Sequence, residues 1–185
     1  MAVYHPKTFL KHDDYMTPFD AWKSIKDYIP KDAKIWSPFY GDGKQKEYFK
    51  QLGFNIIHKK KDFFNFEPKN YSIIIDNPPF SLKKEVFKRL KELDKPFIII
   101  CPSSMINTKY IRDLFSSSKE GNKDKIQIII PRKRIQFIKD GIEKRINFLK
   151  KINGEIPKGW GNRCNFECFY YCYKMNLDND IIWLD

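Results

Sequence analysis

No stretch of this sequence approaches the roughly 18 consecutive apolar residues that mark a membrane-spanning helix. The opening "MAVYHPKTFLKHDDY" also lacks the apolar core of a secretory signal. A cytoplasmic protein without a membrane partner is therefore expected. Cysteine is scarce: Cys101, Cys164, Cys168 and Cys172 are all there are. The last three fall in "NRCNFECFYYCYKM", whose aromatic density reads as a strand, and sulfurs spread along an extended chain cannot close on one tetrahedral ion. No metal is expected, and the thiols read as free and buried. Glycine is sparse too, 8 in 185 residues. Gly41 and Gly43 begin a dinucleotide fingerprint, but Lys46 stands where its third glycine belongs, and Gly43-Lys44 is followed by Gln45, which breaks the triphosphate loop. Nicotinamide and nucleoside triphosphate sites are thereby disfavoured. There is no internal repeat and no low-complexity linker, so residues 1–185 read as one domain.

What is abundant is positive charge and apolar, aromatic side chains. Lys and Arg exceed Asp and Glu by 12, with 42% hydrophobic and 16% aromatic residues, enough for one proper core. The charge has two readings: a surface that releases counterions from a polyanion such as nucleic acid, or the Lys-, Ile- and Asn-rich usage of an AT-rich genome. Apolar runs alternate with helical patterns in the order "AKIW", a helix near 43 to 52, "FNIIH", "YSIIID", a helix near 81 to 93, and "PFIIIC". That order predicts an α/β fold with a parallel sheet and crossover helices. "PFDAWKSIKDYI" precedes it as an amphipathic helix with Pro18 in its first turn. "KIQIIIP" and "CNFECFYYCYK" follow as two further strands, separated by "KDGIEKRINFLKKINGEIPKGWGN", a long loop or a lid.

In open parallel sheets ligands bind beyond the carboxyl ends of the strands, where strand order reverses. Four polar or glycine-bearing loops follow predicted strands: "SPFYGDGK", "HKKKDFF", "DNPPF" and "CPSSM". Their convergence predicts one crevice. Gly41 and Gly43 let the first loop turn sharply and approach a ligand closely. In Asn77-Pro78-Pro79-Phe80, consecutive prolines fix φ and remove two N–H donors, so the turn offers acceptors. The Asn77 side-chain oxygen and the Pro78 carbonyl suit an exocyclic amino group, and Phe80 offers a flat face for a base.

With these residues the chain resembles the S-adenosylmethionine-dependent N6-adenine methyltransferases, in particular the compact DNA adenine methyltransferases of phages and viruses. The family's catalytic signature, (Asp/Asn/Ser)-Pro-Pro-(Tyr/Phe/Trp), is met by Asn77, Pro78, Pro79 and Phe80. Its cofactor loop, Asp-Pro-Phe-x-Gly-x-Gly, is matched by Ser37, Pro38, Phe39, Tyr40, Gly41, Asp42 and Gly43 except at the first residue. "YMTP" resembles the family's Tyr-x-Thr-Pro segment, implying that Tyr15, Thr17 and Pro18 touch the methionine end of the cofactor. "KDFF" implies that Asp62 reads the cofactor adenine and Phe63 packs on it. The likeness covers residues about 13 to 137 and, more thinly, reaches 173 through "PRKRIQFI" and the aromatic last strand. It implies a Rossmann-like methyltransferase fold: a mostly parallel seven-stranded sheet with helices on both faces and an antiparallel final hairpin.

The implied chemistry is methyl transfer to adenine N6 in nucleic acid, DNA before RNA. The amino group is a poor nucleophile because its lone pair is delocalised; two acceptors on its hydrogens favour a pyramidal nitrogen and stabilise the charge that develops. A duplex target would be flipped out, with Phe80 replacing lost stacking. Arg132, Lys133 and Arg134 are candidates for phosphates beside the base, and Trp160 for a neighbouring base or a structural anchor. Two departures stand out. Ser37 replaces an acid, and His58 or Lys59 stands where an acid commonly holds the cofactor ribose, with the carboxylates of Asp42 and Asp76 as candidates to compensate near a cationic cofactor. They also leave room for a non-catalytic nucleic-acid-binding subunit. With little chain for a target-recognition domain, specificity falls to loops, to a second copy or to a different partner subunit, or is relaxed.

Overall fold

The computed structural model describes residues 15–115, 125–139 and 166–185. The readings placed on Cys164, on Trp160 and on most of the 139–162 interval lie outside these residues. The described elements are β1 (Tyr15–Met16), α1 (Phe19–Lys23), β2 (Lys34–Trp36), α2 (Gln45–Gln51), β3 (Asn55–Ile57), β4 (Ile73–Asp76), α3 (Lys83–Leu93), β5 (Phe97–Pro102), α4 (Lys109–Phe115), β6 (Ile126–Ile130), β7 (Ile138–Lys139), β8 (Cys168–Tyr173) and β9 (Ile181–Trp183).

Seven strands form one mixed sheet in the order β3-β2-β4-β5-β8-β6-β9. Parallel pairing joins β3, β2, β4 and β5, and also β6 and β9; β8 alone runs against its neighbours β5 and β6. Ile73, Ile74, Ile75 and Asp76 are all buried, as a strand covered on both faces requires. Side chains alternate across the sheet: Ile35, Ile73, Ile75 and Ile98 pack with Trp22, Ile25 and Phe49 of the α1 and α2 side. Trp36, Ile74 and Ile99 pack with Val86, Phe87 and Leu90 of α3 and with Ile111 and Phe115 of α4. Each fully buried Ile, Leu or Phe contributes roughly 1.5–3 kcal/mol relative to exposure, so the covered sheet is the main source of stability.

Connectivity fixes where a ligand can sit. From β2 the chain steps outward to β3, then returns to place β4 on the other side of β2. Strand order therefore reverses between β2 and β4, and the loops Ser37–Gly43 and Asn77–Phe80 leave the carboxyl ends of those two strands.

Several expectations need correction. The helix from Pro18 is short: α1 stops at Lys23 and a 3-10 turn follows over Lys26–Tyr28. The expected antiparallel pair is there, β8 running against β6, but it does not end the sheet: β9 then adds to the edge, parallel to β6. "DIIWLD" gives no period-2 signal because apolar residues stand on both faces: Ile182 and Leu184 pack on the core, while Ile181 is 55% and Trp183 73% exposed. The described thiols Cys101, Cys168 and Cys172 form no disulfide and are buried. Among the described residues no helix is long and apolar enough to cross a membrane.

Candidate functional site

The first loop is set by its two glycines. Gly41 (φ 50°) and Gly43 (φ 80°) adopt backbone conformations that side chains disfavour, and the Gly43 N–H donates to the Tyr40 carbonyl at 2.9 Å to close the turn. A Cβ on Gly41 would stand 2.8 Å from the Met16 sulfur, and one on Gly43 would stand 3.0 Å from the Tyr40 hydroxyl. What meets the glycines is thus this chain's own side chains. Asp42 accepts the Lys44 N–H at 3.0 Å and lies 3.4 Å from the Lys44 ammonium, at the solvent side of the turn.

At the base of this loop Ser37 and Pro38 are buried, with Phe39 and Tyr40 partly so. The Ser37 hydroxyl donates to Asp76 Oδ2 at 3.0 Å, and the Phe39 N–H donates to the same oxygen at 2.7 Å. Asp76 Oδ1 accepts the Asn77 N–H at 2.8 Å. Burial pushes the Asp76 carboxyl up to about 7 against these donors, because desolvation of the charge outweighs them. His58 fills the space behind: Nδ1 lies 2.9 Å from both the hydroxyl and the carbonyl oxygen of Ser37, and Nε2 lies 3.2 Å from the Tyr40 carbonyl. Its ring stacks on Tyr40 at 4.9 Å, and burial holds it below the usual imidazole range. His58 therefore supports the loop from within, while Lys59 is exposed.

The second loop presents Asn77. Its amide Nδ2 donates to the Tyr15 carbonyl at 3.2 Å, while Oδ1 is buried and has no partner among the described residues. Tyr15 is held there by the β1–β7 pairing (Tyr15 against Lys139, Met16 against Ile138) and by its ring edge on Phe166 at 5.7 Å. The neighbouring Thr17 is 7% exposed and its hydroxyl also lacks a partner, while Pro18 caps α1. Buried polar atoms are nearly always bonded, so orphans call for an explanation. Two of the four found among the described residues, Asn77 Oδ1 and Thr17 Oγ1, fall on motif residues. Pro78 and Pro79 are buried beneath the turn. Phe80 is partly buried, edge-on to Phe166 at 5.3 Å and Phe137 at 6.2 Å.

Phe137 also explains how the basic segment reaches this turn. Arg132, Lys133 and Arg134 are exposed just beyond β6, three strand spacings or roughly 14 Å across the sheet from β4. Ile135 and Phe137 are buried, and the segment runs back to pair through β7 with β1. The three basic residues therefore stand on a strap that ends on Phe80 and Tyr15. Arg134 is paired with Glu167 at 2.9 Å.

The "KDFF" residues are engaged within the fold itself. Phe63 is a core ring, 3% exposed, tilted against Phe39 at 5.1 Å and Trp36 at 5.6 Å. Asp62 accepts the Phe64 N–H at 3.0 Å and the Asn65 side-chain amide, so it folds its own turn. Sequence reasoning missed Tyr40 and His58 as supports and Tyr15's carbonyl as the partner of Asn77. A main-chain acceptor leaves no residue-type signal. A half-open pocket of about 290 Å³ lined by Lys125, Gln127, Lys174 and Asp180 lies at the opposite end of the sheet and contains none of these residues.

No family model matches the chain, and no curated protein matches it. Among solved structures the chain is similar to a functionally unknown protein from Deinococcus radiodurans R1, at 12% identity over 83% of each chain and a TM-score of 0.35.

Proposed function

We propose that this chain is an S-adenosylmethionine-dependent methyltransferase of Rossmann-like fold that acts on the N6 amino group of adenine in nucleic acid, DNA in the first place. The observation that carries the reading is the orientation of Asn77. Its amide nitrogen is spent on the Tyr15 carbonyl and its oxygen is left buried, preset and unbonded at the strand-order reversal. An acceptor so held is what an exocyclic amino group requires, and a second stands next to it in the Pro78 carbonyl.

The donor set fits a cationic, adenosine-bearing cofactor in part. Tyr15 and, through Asp76, Ser37 and Phe39 are tied to Asn77, and with Thr17, Pro18 and the rest of the glycine loop would hold the cofactor's methionine end, whereas Asp62 and Phe63 would have to rearrange to read its adenine. When bound, the cofactor supplies an electrophilic methyl group on a sulfonium. The protein's part is to accept the two amine hydrogens at Asn77 Oδ1 and Pro78 O, which frees the nitrogen lone pair and stabilises its developing positive charge. Phe80, wedged by Phe137 and Phe166, supports the base. Arg132 and Lys133 on the adjoining strap are placed for phosphate.

The engagement of Asp62 and burial of Phe63 favour one second reading, a nucleic-acid-binding subunit that has kept the fold without the catalysis. Two measurements separate them: thermal stability with S-adenosylmethionine, where a ligand at 100 times its Kd adds about 2.7 kcal/mol, and labelled methyl transfer to DNA and RNA oligonucleotides in parallel. Stabilisation with transfer supports the enzyme. Nucleic-acid binding with neither supports the subunit.

A further inference from the structure

We propose that Asp76 is the positioning residue of this site: its buried carboxylate fastens the Ser37–Tyr40 loop to the Asn77–Phe80 turn and stands in for the acid that Ser37 replaces. What is being positioned rests on the methyl-transfer reading; the fastening itself rests on the hydrogen bonds.

Asp76 closes β4 and is 1% exposed. Its two oxygens take three donors from two loops: the Ser37 hydroxyl and Phe39 N–H on Oδ2, and the Asn77 N–H on Oδ1. Two of these are backbone N–H groups, which cannot turn round to accept. An amide of the same shape would therefore set an NH2 against either Phe39 or Asn77, whichever way it flipped. Only the ionised carboxylate satisfies the set, so the fastening is complete above about pH 7, where the buried acid has lost its proton, and is read there. The same geometry accounts for the serine. An acid at 37 would bring a second carboxylate to about the 3.0 Å now spanned by the Ser37 to Asp76 hydrogen bond, and two acids that close cannot both ionise. The charge has been moved across the strand-order reversal, from the end of β2 to the end of β4. Asn77 is consequently held twice, by its backbone through Asp76 and by its amide through Tyr15, and only Oδ1 remains free to act.

The test is Asp76→Asn in the full chain, read first without any ligand by amide hydrogen exchange. Exchange at Phe39 and Asn77 is expected to speed up by at least about tenfold, the equivalent of one charge-assisted hydrogen bond, while Ile98 and Ile99 in β5 keep their protection. S-adenosylmethionine affinity is expected to fall about tenfold and the rate at saturating cofactor to fall as well, since the loop and the acceptor lose their common anchor. The double variant Ser37→Asp, Asp76→Asn moves the carboxylate back and is expected to recover part of both, whereas Ser37→Asp alone is not. Unchanged exchange at Phe39 and Asn77, or unchanged affinity and rate, overturns the proposal. If Asp76→Asn does not fold, Ser37→Ala decides: faster exchange at Phe39 supports the fastening and unchanged exchange refutes it. Faster exchange in Asp76→Asn together with a wild type that neither binds S-adenosylmethionine nor transfers methyl leaves the fastening standing and removes the functional reading.

Discussion

Replacing Asn77 with Asp tests the acceptor mechanism more sharply than deleting the side chain, because the signature accepts Asp and this fold does not favour it. In the wild type Nδ2 donates to the Tyr15 carbonyl at 3.2 Å. An Asp at 77 turns that donor into an oxygen facing an oxygen at the same separation, and it adds a second carboxylate beside buried Asp76. Losing the bond and leaving a partly buried carbonyl unpaired costs about 1–3 kcal/mol, and the adjacent like charge adds to it. The turn can relieve this only by rotating the side chain, which moves the acceptor off target. Asn77→Asp is therefore expected to lower stability by about 1–3 kcal/mol and to slow methyl transfer at least about tenfold. Asn77→Ala should fold normally and lose on the order of 10² to 10³ in rate, the usual cost of removing one preorganised group that acts in the transition state. Labelled transfer to adenine-containing DNA and RNA, with melting curves on the same preparations, gives both quantities. Wild-type rate and stability in Asn77→Asp would refute selection of the amide by Tyr15, and undiminished transfer by Asn77→Ala would remove Asn77 from the mechanism.

Three further outcomes are expected. Nucleic-acid affinity should fall steeply with salt, and Arg132→Ala with Lys133→Ala should flatten the slope by about 0.9 for each phosphate no longer neutralised, without sequence preference; an unchanged slope in filter-binding or anisotropy titrations would make the charge compositional. Asp76, raised from 3.8 to about 7 by burial, stays protonated in the fold where the unfolded chain has ionised, so its contribution to stability is present at acid pH and is lost as pH rises through about 7. Melting temperatures of wild type minus Asp76→Asn should accordingly decline between about pH 4 and 7 and level off above, and a difference that rises over that range would refute the assignment. Phe87→Ala, in the centre of the face covered by α3, should destabilise by about 3–5 kcal/mol in denaturant titrations without touching the site.

Much of the frame was legible because it rests on local rules. "SIIID" and "FIIIC" carry the continuous apolar pattern of strands buried on both faces, and α3 shows its stripe in Val86, Phe87 and Leu90. The positions of Gly41 and Gly43 announced a turn, and both have the positive φ that only glycine adopts readily. Short elements escaped. In β9, "IIW" is three residues of which Ile182 alone packs inward, and α4 buries only Ile111 and Phe115. Their pairing is decided by the sheet edge and by the neighbouring helix.

The site divides along the same line. Motif matching reads residue types one position at a time, so it finds "NPPF" and records Ser37 and His58 as departures. It offers Asp42 and Asp76 alike as compensating acids and cannot choose between them, since the choice depends on β2 and β4 lying side by side after an excursion through β3. Nor can it see Tyr15's carbonyl, which any residue at 15 would supply; what matters is the β1–β7 pairing that carries it to Asn77. A departure from a pattern is weak evidence of lost function when the missing group can be supplied from an adjacent strand. For Ser37 the fold provides such a supplier in Asp76, within 3.0 Å. For the ribose acid the described residues provide none, because His58 is buried against Tyr40 and Asp62 is bound up in its own turn. On the methyl-transfer reading, cofactor affinity is limited at the adenosine end, and truncating the cofactor's adenine is expected to cost less than removing its methionine carboxylate or ammonium.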